Sequence, residues 1–239
     1  MSTFVIVHGG WHTGEHFAAT AGVIRQAGHT VHLPTVRGNA PGDSKTTGLD
    51  EAIESIVAYL EAHAIDDCVL VGHSYGGMVI TGVTDRVPAR IRRVVYWNAF
   101  VPDDGESLND LVPPHYVDMF DAIVAADGSV SLPEAIWREA FMNDASLEQA
   151  SAAYASLNPH PYRTFTDRIS LRVNPAASPV PKSFINGTED TALPQSCGWH
   201  PRLSEKLGLF RLIQIPGGHE LCFTDPERLA HAIIVAGRD

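Results

Sequence analysis

The segment Asp67-Cys68-Val69-Leu70-Val71-Gly72-His73-Ser74-Tyr75-Gly76-Gly77-Met78 passes from an apolar, β-branched run through G-x-S-x-G into a helix-like stretch lasting to Val87. Few local patterns leave a chain so little choice of fold. A serine carried from strand to helix in so short a turn sits in a strained backbone conformation, and Gly72 and Gly76 lack the Cβ atoms that would clash there. The strand demands a sheet to join. The helix aims free N–H groups and a positive dipole end at whatever lies in front of Ser74. The spacing thus predicts a serine hydroxyl lifted clear of a sheet edge, the geometry a nucleophile needs.

The rest of the chain supplies that sheet. Short apolar runs at 4–7, 29–33, 68–71, 92–97, 182–185 and 209–215 predict six strands, and helical spacing at 14–27 and 49–63 fills two of the intervals. Strands alternating with helices imply right-handed crossovers, so the expected fold class is α/β: a mostly parallel sheet with helices on both faces. Residues 102–181 break the alternation. They include prolines at 113, 114, 133, 159 and 161, helical pieces at 116–125, 133–142 and 147–157, and no convincing strand run. The expected organisation is therefore a core of 1–101 and 182–239 with a helical cap inserted at 102–181. A cap brings apolar side chains over the serine, excludes water and shapes a pocket.

Composition narrows the partners. A chain of 239 residues suits one α/β domain with an insertion, and a formal charge of -11 without any Lys/Arg run opposes binding to a nucleic-acid backbone. Cys68, Cys197 and Cys222 are odd in number and widely spaced, which suggests neither a disulfide framework nor a thiolate metal site. The chain enters its first strand directly from Met1-Ser2-Thr3, with no basic n-region, and has no apolar stretch of about 18 residues. These features predict a cytoplasmic protein with no membrane partner. Oligomeric state stays open, a homodimer included.

A serine hydroxyl is a weak nucleophile and requires a base, which in turn requires a carboxylate to fix its tautomer. Among 12 histidines, His219 has the context for the base: Gly217-Gly218-His219 follows the last strand, at the carboxyl end where loops of an open parallel sheet converge. Asp190, in Asn186-Gly187-Thr188-Glu189-Asp190 after the fifth strand, is the favoured carboxylate, with Glu189 and Asp103 as alternatives. For the oxyanion, the N–H of Tyr75 and that of Gly10 in His8-Gly9-Gly10 are the expected donors. His73 is read as a packed, hydrogen-bonded histidine. His8, His12 and His16 are read as no metal site, because the glycines around them break any helix and no carboxylate or thiol partners are evident. No cofactor is called for. Candidate pocket residues are Trp11, His12, Tyr75, Trp137, Phe141 and Met142.

Several of these pieces together resemble the α/β-hydrolase family that includes plant methyl-ester esterases and hydroxynitrile lyases: Val7-His8-Gly9-Gly10-Trp11-His12, Ala27-Gly28-His29-Thr30-Val31, the segment 71–78, Ala99-Phe100-Val101-Pro102-Asp103 and Thr188-Glu189-Asp190. The similarity runs nearly the whole length and is weakest in the cap. It implies the α/β-hydrolase fold, a Ser74–His219–Asp190 triad and a small-molecule ester or carbamate substrate. Lyases of this family carry threonine at the position of Gly9 and lysine directly after the catalytic histidine, where this chain has Glu220. A glutamate there is expected to repel cyanide, which favours the esterase branch. A cofactor-free dioxygenase and a slow-turnover ligand receptor on the same scaffold remain as alternatives.

Overall fold

The computed structural model describes residues 1–239. In chain order its strands are β1 (Thr3–Val7), β2 (Thr30–His32), β3 (Cys68–Ser74), β4 (Ile91–Ala99), a short pair β5 (Ser129–Val130) and β6 (His160–Pro161), then β7 (Lys182–Gly187) and β8 (Arg211–Ile215). Six form one sheet in the order β2-β1-β3-β4-β7-β8. Every pairing in it is parallel.

A parallel sheet covered on both faces needs strands that are apolar on both sides, and the period of two sorts their side chains into two layers. Phe4 and Ile6 join one buried cluster, Val5 and Val7 the other; Val69 and Val71 separate from Cys68 and Leu70 in the same way, and Val95 and Trp97 from Val94 and Tyr96. The first layer is closed by α1 (Ala18–Gln26) and the C-terminal helix, through Ala21, Ile24, Leu229 and Ile233. The second is closed by α2 (Leu49–Ala62) and α3 (Gly76–Arg86), through Ile53, Ile56, Val79 and Val83. Helix α2 starts where Gly48 N–H finds the Glu51 carboxylate at 2.8 Å, a bond that satisfies one orphan donor of the first turn.

Between β4 and β7 lie α4 (Pro114–Ile123), α5 (Glu134–Ile136) running into a π-helical turn over Trp137–Phe141, α6 (Leu147–Tyr154) and α7 (Arg163–Thr166). Helix α6 opens on a reciprocal cap, Gln149 N–H to Ser146 Oγ and Ser146 N–H to Gln149 Oε1. The expectation of no strand here needs correction: β5 and β6 form an antiparallel ladder of two residues each, Ser129 opposite Pro161 and Val130 opposite His160. Two residues are too few for any periodicity to register. One cluster of 46 buried side chains joins Phe120, Trp137, Phe141 and Phe165 of this segment to the α2/α3 layer, so it packs onto the sheet's helices as part of the same core.

After β8 come α8 (Leu221–Thr224) and α9 (Pro226–Ala236), the latter capped by the Asp225 side chain on Arg228 N–H at 2.9 Å. Strand order reverses between β1 and β3. Ligands of open α/β sheets bind beyond the carboxyl ends of strands at such a reversal, and Ser74 is the last residue of β3.

Candidate active site

Ser74 has φ +52, in the left-handed region that a β-carbon makes costly, and leads directly into α3. The turn holds because Gly76 is tucked under β1: a Cβ there would stand 2.7 Å from the carbonyl oxygens of both Val7 and His8. Ser74's own carbonyl accepts the Phe100 N–H at 3.1 Å, which ties the elbow to the end of β4.

Gly10, Ser74, Tyr75 and His219, from three separate segments, line one cavity. The remaining wall is almost wholly apolar, with Trp11, Phe141, Phe165, Tyr116 and Trp199 contributing rings. The cavity is narrow, ≈ 40 Å³ in volume. Trp199 lies face-on to His219 with ring centres 5.2 Å apart, and Phe141 meets it edge-on at 5.1 Å. Walls of this kind exclude water around the imidazole and strengthen every polar contact it makes.

His219 Nδ1 donates to Asp190 Oδ2 at 2.6 Å, and both side chains are buried. Burial alone would push the imidazole down, but the Asp190 charge and hydrogen bond outweigh it and hold His219 above the ordinary histidine value. Nε2, across the ring, has no protein partner. Asp190 is itself fixed by two further donors: Asn98 Nδ2 reaches Oδ2 at 2.6 Å and Ala192 N–H reaches Oδ1 at 2.8 Å. Of the two alternative carboxylates, Asp103 pairs with Lys206 at 2.9 Å, and the one against His219 belongs to Asp190.

The loop after β1 is held as firmly. Trp11 has φ +65, and its N–H donates to His160 Nδ1 at 3.3 Å while its indole N–H donates to the Val130 carbonyl at 3.0 Å. His160 Nδ1 also meets Asn39 Nδ2 at 2.8 Å, and its Nε2 lies 2.8 Å from Thr164 Oγ1. Burial keeps His160 well below the ordinary histidine value, so it acts as a neutral acceptor joining the β1 loop to the segment above the sheet. His73 points into the fold as expected: it stacks on Trp97 at 3.9 Å and its Nε2 contacts the His219 carbonyl at 3.1 Å.

Of the expected pocket residues, Trp11, Tyr75 and Phe141 line the cavity, whereas His12, Trp137 and Met142 do not. Trp137 and Met142 are absorbed into the core, Trp137 spending its indole N–H on the Ala150 carbonyl at 2.9 Å. His12 lies behind the cavity wall, where Glu220 Oε2 is 3.2 Å from its Nε2. That pairing corrects two expectations. His12 does have carboxylate and thiol neighbours, Glu220 and Cys222, and Glu220 does not face the cavity to repel an anion. The reading from sequence missed Asn98, His160, Phe165 and Trp199. Only Asn98, just beyond the expected fourth strand, carried a signal in its position.

Comparison with known proteins bears on the family and the fold. A carbendazim hydrolyzing esterase from Nocardioides sp. (strain SG-4G) is 48% identical over 118 residues, spanning 47% of this chain and 48% of that one. A pyrethroid hydrolase from Sphingobium wenxiniae is 24% identical over 98% of this chain and 86% of its own length, and an α-hydroxynitrile lyase from Arabidopsis thaliana 23% identical over 99% and 97%. Among solved structures, an extracellular alpha/beta-hydrolase from a Paenibacillus species superposes with a TM-score of 0.96 at 36% identity, covering 100% of both chains; it is described as sharing structural and functional homology with tobacco salicylic acid binding protein 2. No helix is long and apolar enough to cross a membrane. The model of the alpha/beta hydrolase family matches residues 4–232, and the chain belongs to that family.

Proposed function

We propose that the protein is a serine hydrolase that cleaves a small carboxylic ester, carbamate or related acyl compound with a flat aromatic or apolar portion. The observation that carries this reading is the 2.6 Å contact of His219 Nδ1 with Asp190, with His219 and Ser74 on the wall of one cavity. Ser74 Oγ attacks the carbonyl carbon and its proton passes to His219 Nε2. Asp190 holds the tautomer and stabilises the imidazolium. The N–H groups of Gly10 and Tyr75 receive the developing oxyanion. His219 then protonates the leaving alcohol, and water attacks the acyl-enzyme with the same imidazole as base.

The narrow, ring-lined cavity supports a flat substrate, and the esterase and hydrolase relatives support an ester-type bond. Residues 102–181 act in this scheme as the cap that selects it. A cytoplasmic location belongs to the same proposal. The likeness to a structure compared with a salicylic acid binding protein favours one second reading, a binder with slow turnover. A panel of methyl and aryl esters, carbamates and lactones, run with the wild type and Ser74→Ala, tests both. The expected result is multiple turnover and a burst on p-nitrophenyl acetate that vanish in Ser74→Ala with circular dichroism unchanged. Turnover surviving in that variant would sink the mechanism, and a wild type limited to one turnover favours the binder.

A further inference from the structure

Behind the cavity wall lie three buried polar groups that the acyl-transfer scheme leaves unused: His12, Glu220 and Cys222. Glu220 Oε2 is 3.2 Å from His12 Nε2 and accepts from Cys222 Sγ at 3.6 Å. The other nitrogen of His12, Nδ1, donates to the Gly10 carbonyl at 2.7 Å. A carbonyl oxygen takes only a protonated nitrogen, so Nδ1 carries a proton and Nε2 is the nitrogen turned toward the Glu220 carboxylate. Burial would push Glu220 up; the charge and hydrogen bond of His12, with His219 adding to them, bring it instead to about 2. Glu220 thus stays ionised in the interior.

The position of that charge matters because Glu220 directly follows His219 in the chain. A ring nitrogen of His219, one of His73 and a carboxylate oxygen of Glu220 lie within 4.8 Å of one another. His12 meanwhile reaches back to Gly10, the candidate oxyanion donor, so the pair spans from the base's segment to the oxyanion loop. We propose that Glu220, held in place by His12, is a positioning residue for the general base: a second, buried carboxylate behind His219 that supports its imidazolium alongside Asp190. The proposal rests on the acyl-transfer reading of Ser74 and His219.

The charged and titratable groups around His219 come from every element packed on it. Asp190 faces it from the loop after β7, and Asp144, whose Oδ2 accepts the Gly218 N–H at 2.9 Å, adds negative charge from the loop before α6. His73 faces it from β3, kept neutral chiefly by burial. Phe141 and Trp199 are uncharged. Three carboxylates therefore favour the protonated ring, and removing the Glu220 charge weakens one of them.

The test is the pH dependence of kcat/KM on p-nitrophenyl acetate for the wild type, Glu220→Gln and Glu220→Asp. The acid limb reports the free enzyme's base. Glu220→Gln is expected to move that limb down by about one pH unit, and Glu220→Asp, which keeps the charge, to leave it near the wild-type position. The limb's position belongs to the active molecules and does not depend on what fraction of a variant folds. A Glu220→Gln limb coincident with wild type, or a Glu220→Asp limb displaced equally far, overturns the proposal. Dialysis against EDTA is expected to move nothing; a profile that shifts with EDTA and returns with zinc would assign the His12, Glu220 and Cys222 cluster to a metal instead. An inactive wild type overturns the hydrolase reading and this proposal with it, whereas an active wild type whose acid limb Glu220→Gln leaves in place overturns this proposal alone.

Discussion

Asp190→Asn changes one atom of the site, and the geometry around that atom sets the cost. Three N–H groups converge on the Asp190 carboxylate, from His219 and Asn98 at 2.6 Å each on Oδ2 and from Ala192 at 2.8 Å on Oδ1. None can turn away freely. The Ala192 donor is backbone, and the Asn98 amide is oriented by its own Oδ1, which accepts the Gly187 N–H at 2.8 Å. An asparagine has one oxygen for these two sites. With its oxygen toward Ala192, its NH₂ confronts His219 and Asn98, and the imidazole must move its proton to Nε2, where it can no longer accept one from Ser74. With its oxygen toward His219, its NH₂ opposes the Ala192 N–H, which leaves a buried donor unsatisfied at about 1–3 kcal/mol. In both orientations the imidazolium loses its charged partner. The expected loss is about 10⁴-fold in kcat, or about 5.5 kcal/mol of transition-state stabilisation. Steady-state and stopped-flow hydrolysis of p-nitrophenyl acetate measures it, with near-UV circular dichroism as the fold control. A variant that keeps more than a tenth of wild-type kcat would refute the role given to Asp190.

Gly9→Thr, which installs the lyase-type residue, puts a Cβ 2.8 Å from His73 Nδ1 and 3.2 Å from Ser74 Cβ. His73 is pinned between Trp97 and the His219 carbonyl and has nowhere to move, so the loop carrying Gly10 must shift; a stability loss of about 1–3 kcal/mol with at least a tenfold fall in kcat/KM is expected, and wild-type values for both would contradict it. Acid stability provides a separate check. Burial lowers His8 to about 3 and takes His73 and His160 well below the ordinary value, so these three stay neutral in the fold while the unfolded chain protonates them below its own value of 6.5. The unfolded state then binds more protons, and stability is expected to fall with decreasing pH from about 6.5, approaching about 4 kcal/mol per pH unit once all three titrate. Glu220, depressed from 4.5 to about 2, adds stability that is full above pH 4.5 and is lost as the pH falls through about 2. Urea midpoints measured from pH 7.5 to 4 track this directly; a flat series above pH 5 would show that the buried histidines carry charge.

Much of the fold lies in local periodicity. The six apolar runs each become a strand of the parallel sheet, since strands buried on both faces declare themselves without any partner in view. Their ends are less legible: β3 and β4 continue to Ser74 and Ala99, past the last apolar residues, through glycines and polar groups that only sheet pairing keeps extended. The Ser74 turn and the loops carrying Gly10, Asp190 and His219 are likewise written locally, because each comes directly after a strand at the same sheet edge.

What the sequence alone determined was therefore the α/β architecture, the serine on its strained turn and the chain order of its candidate partners, all of which depend on short-range spacing. Tertiary structure decided which side chains surround them. Aromatics of residues 102–181 divide between cavity and core, Phe141 and Phe165 on the wall and Trp137 behind it, according to helix rotation and packing that no spacing encodes. Asn98, 92 positions from Asp190, and His12, far in sequence from Glu220, meet their partners only when strands and loops are brought together. The charge of Glu220 is the sharpest case: in sequence it is an anion next to the base, and burial against His12 turns it from a group facing substrate into one acting on His219 from behind, because an ion removed from water must find its counter-charge inside the protein.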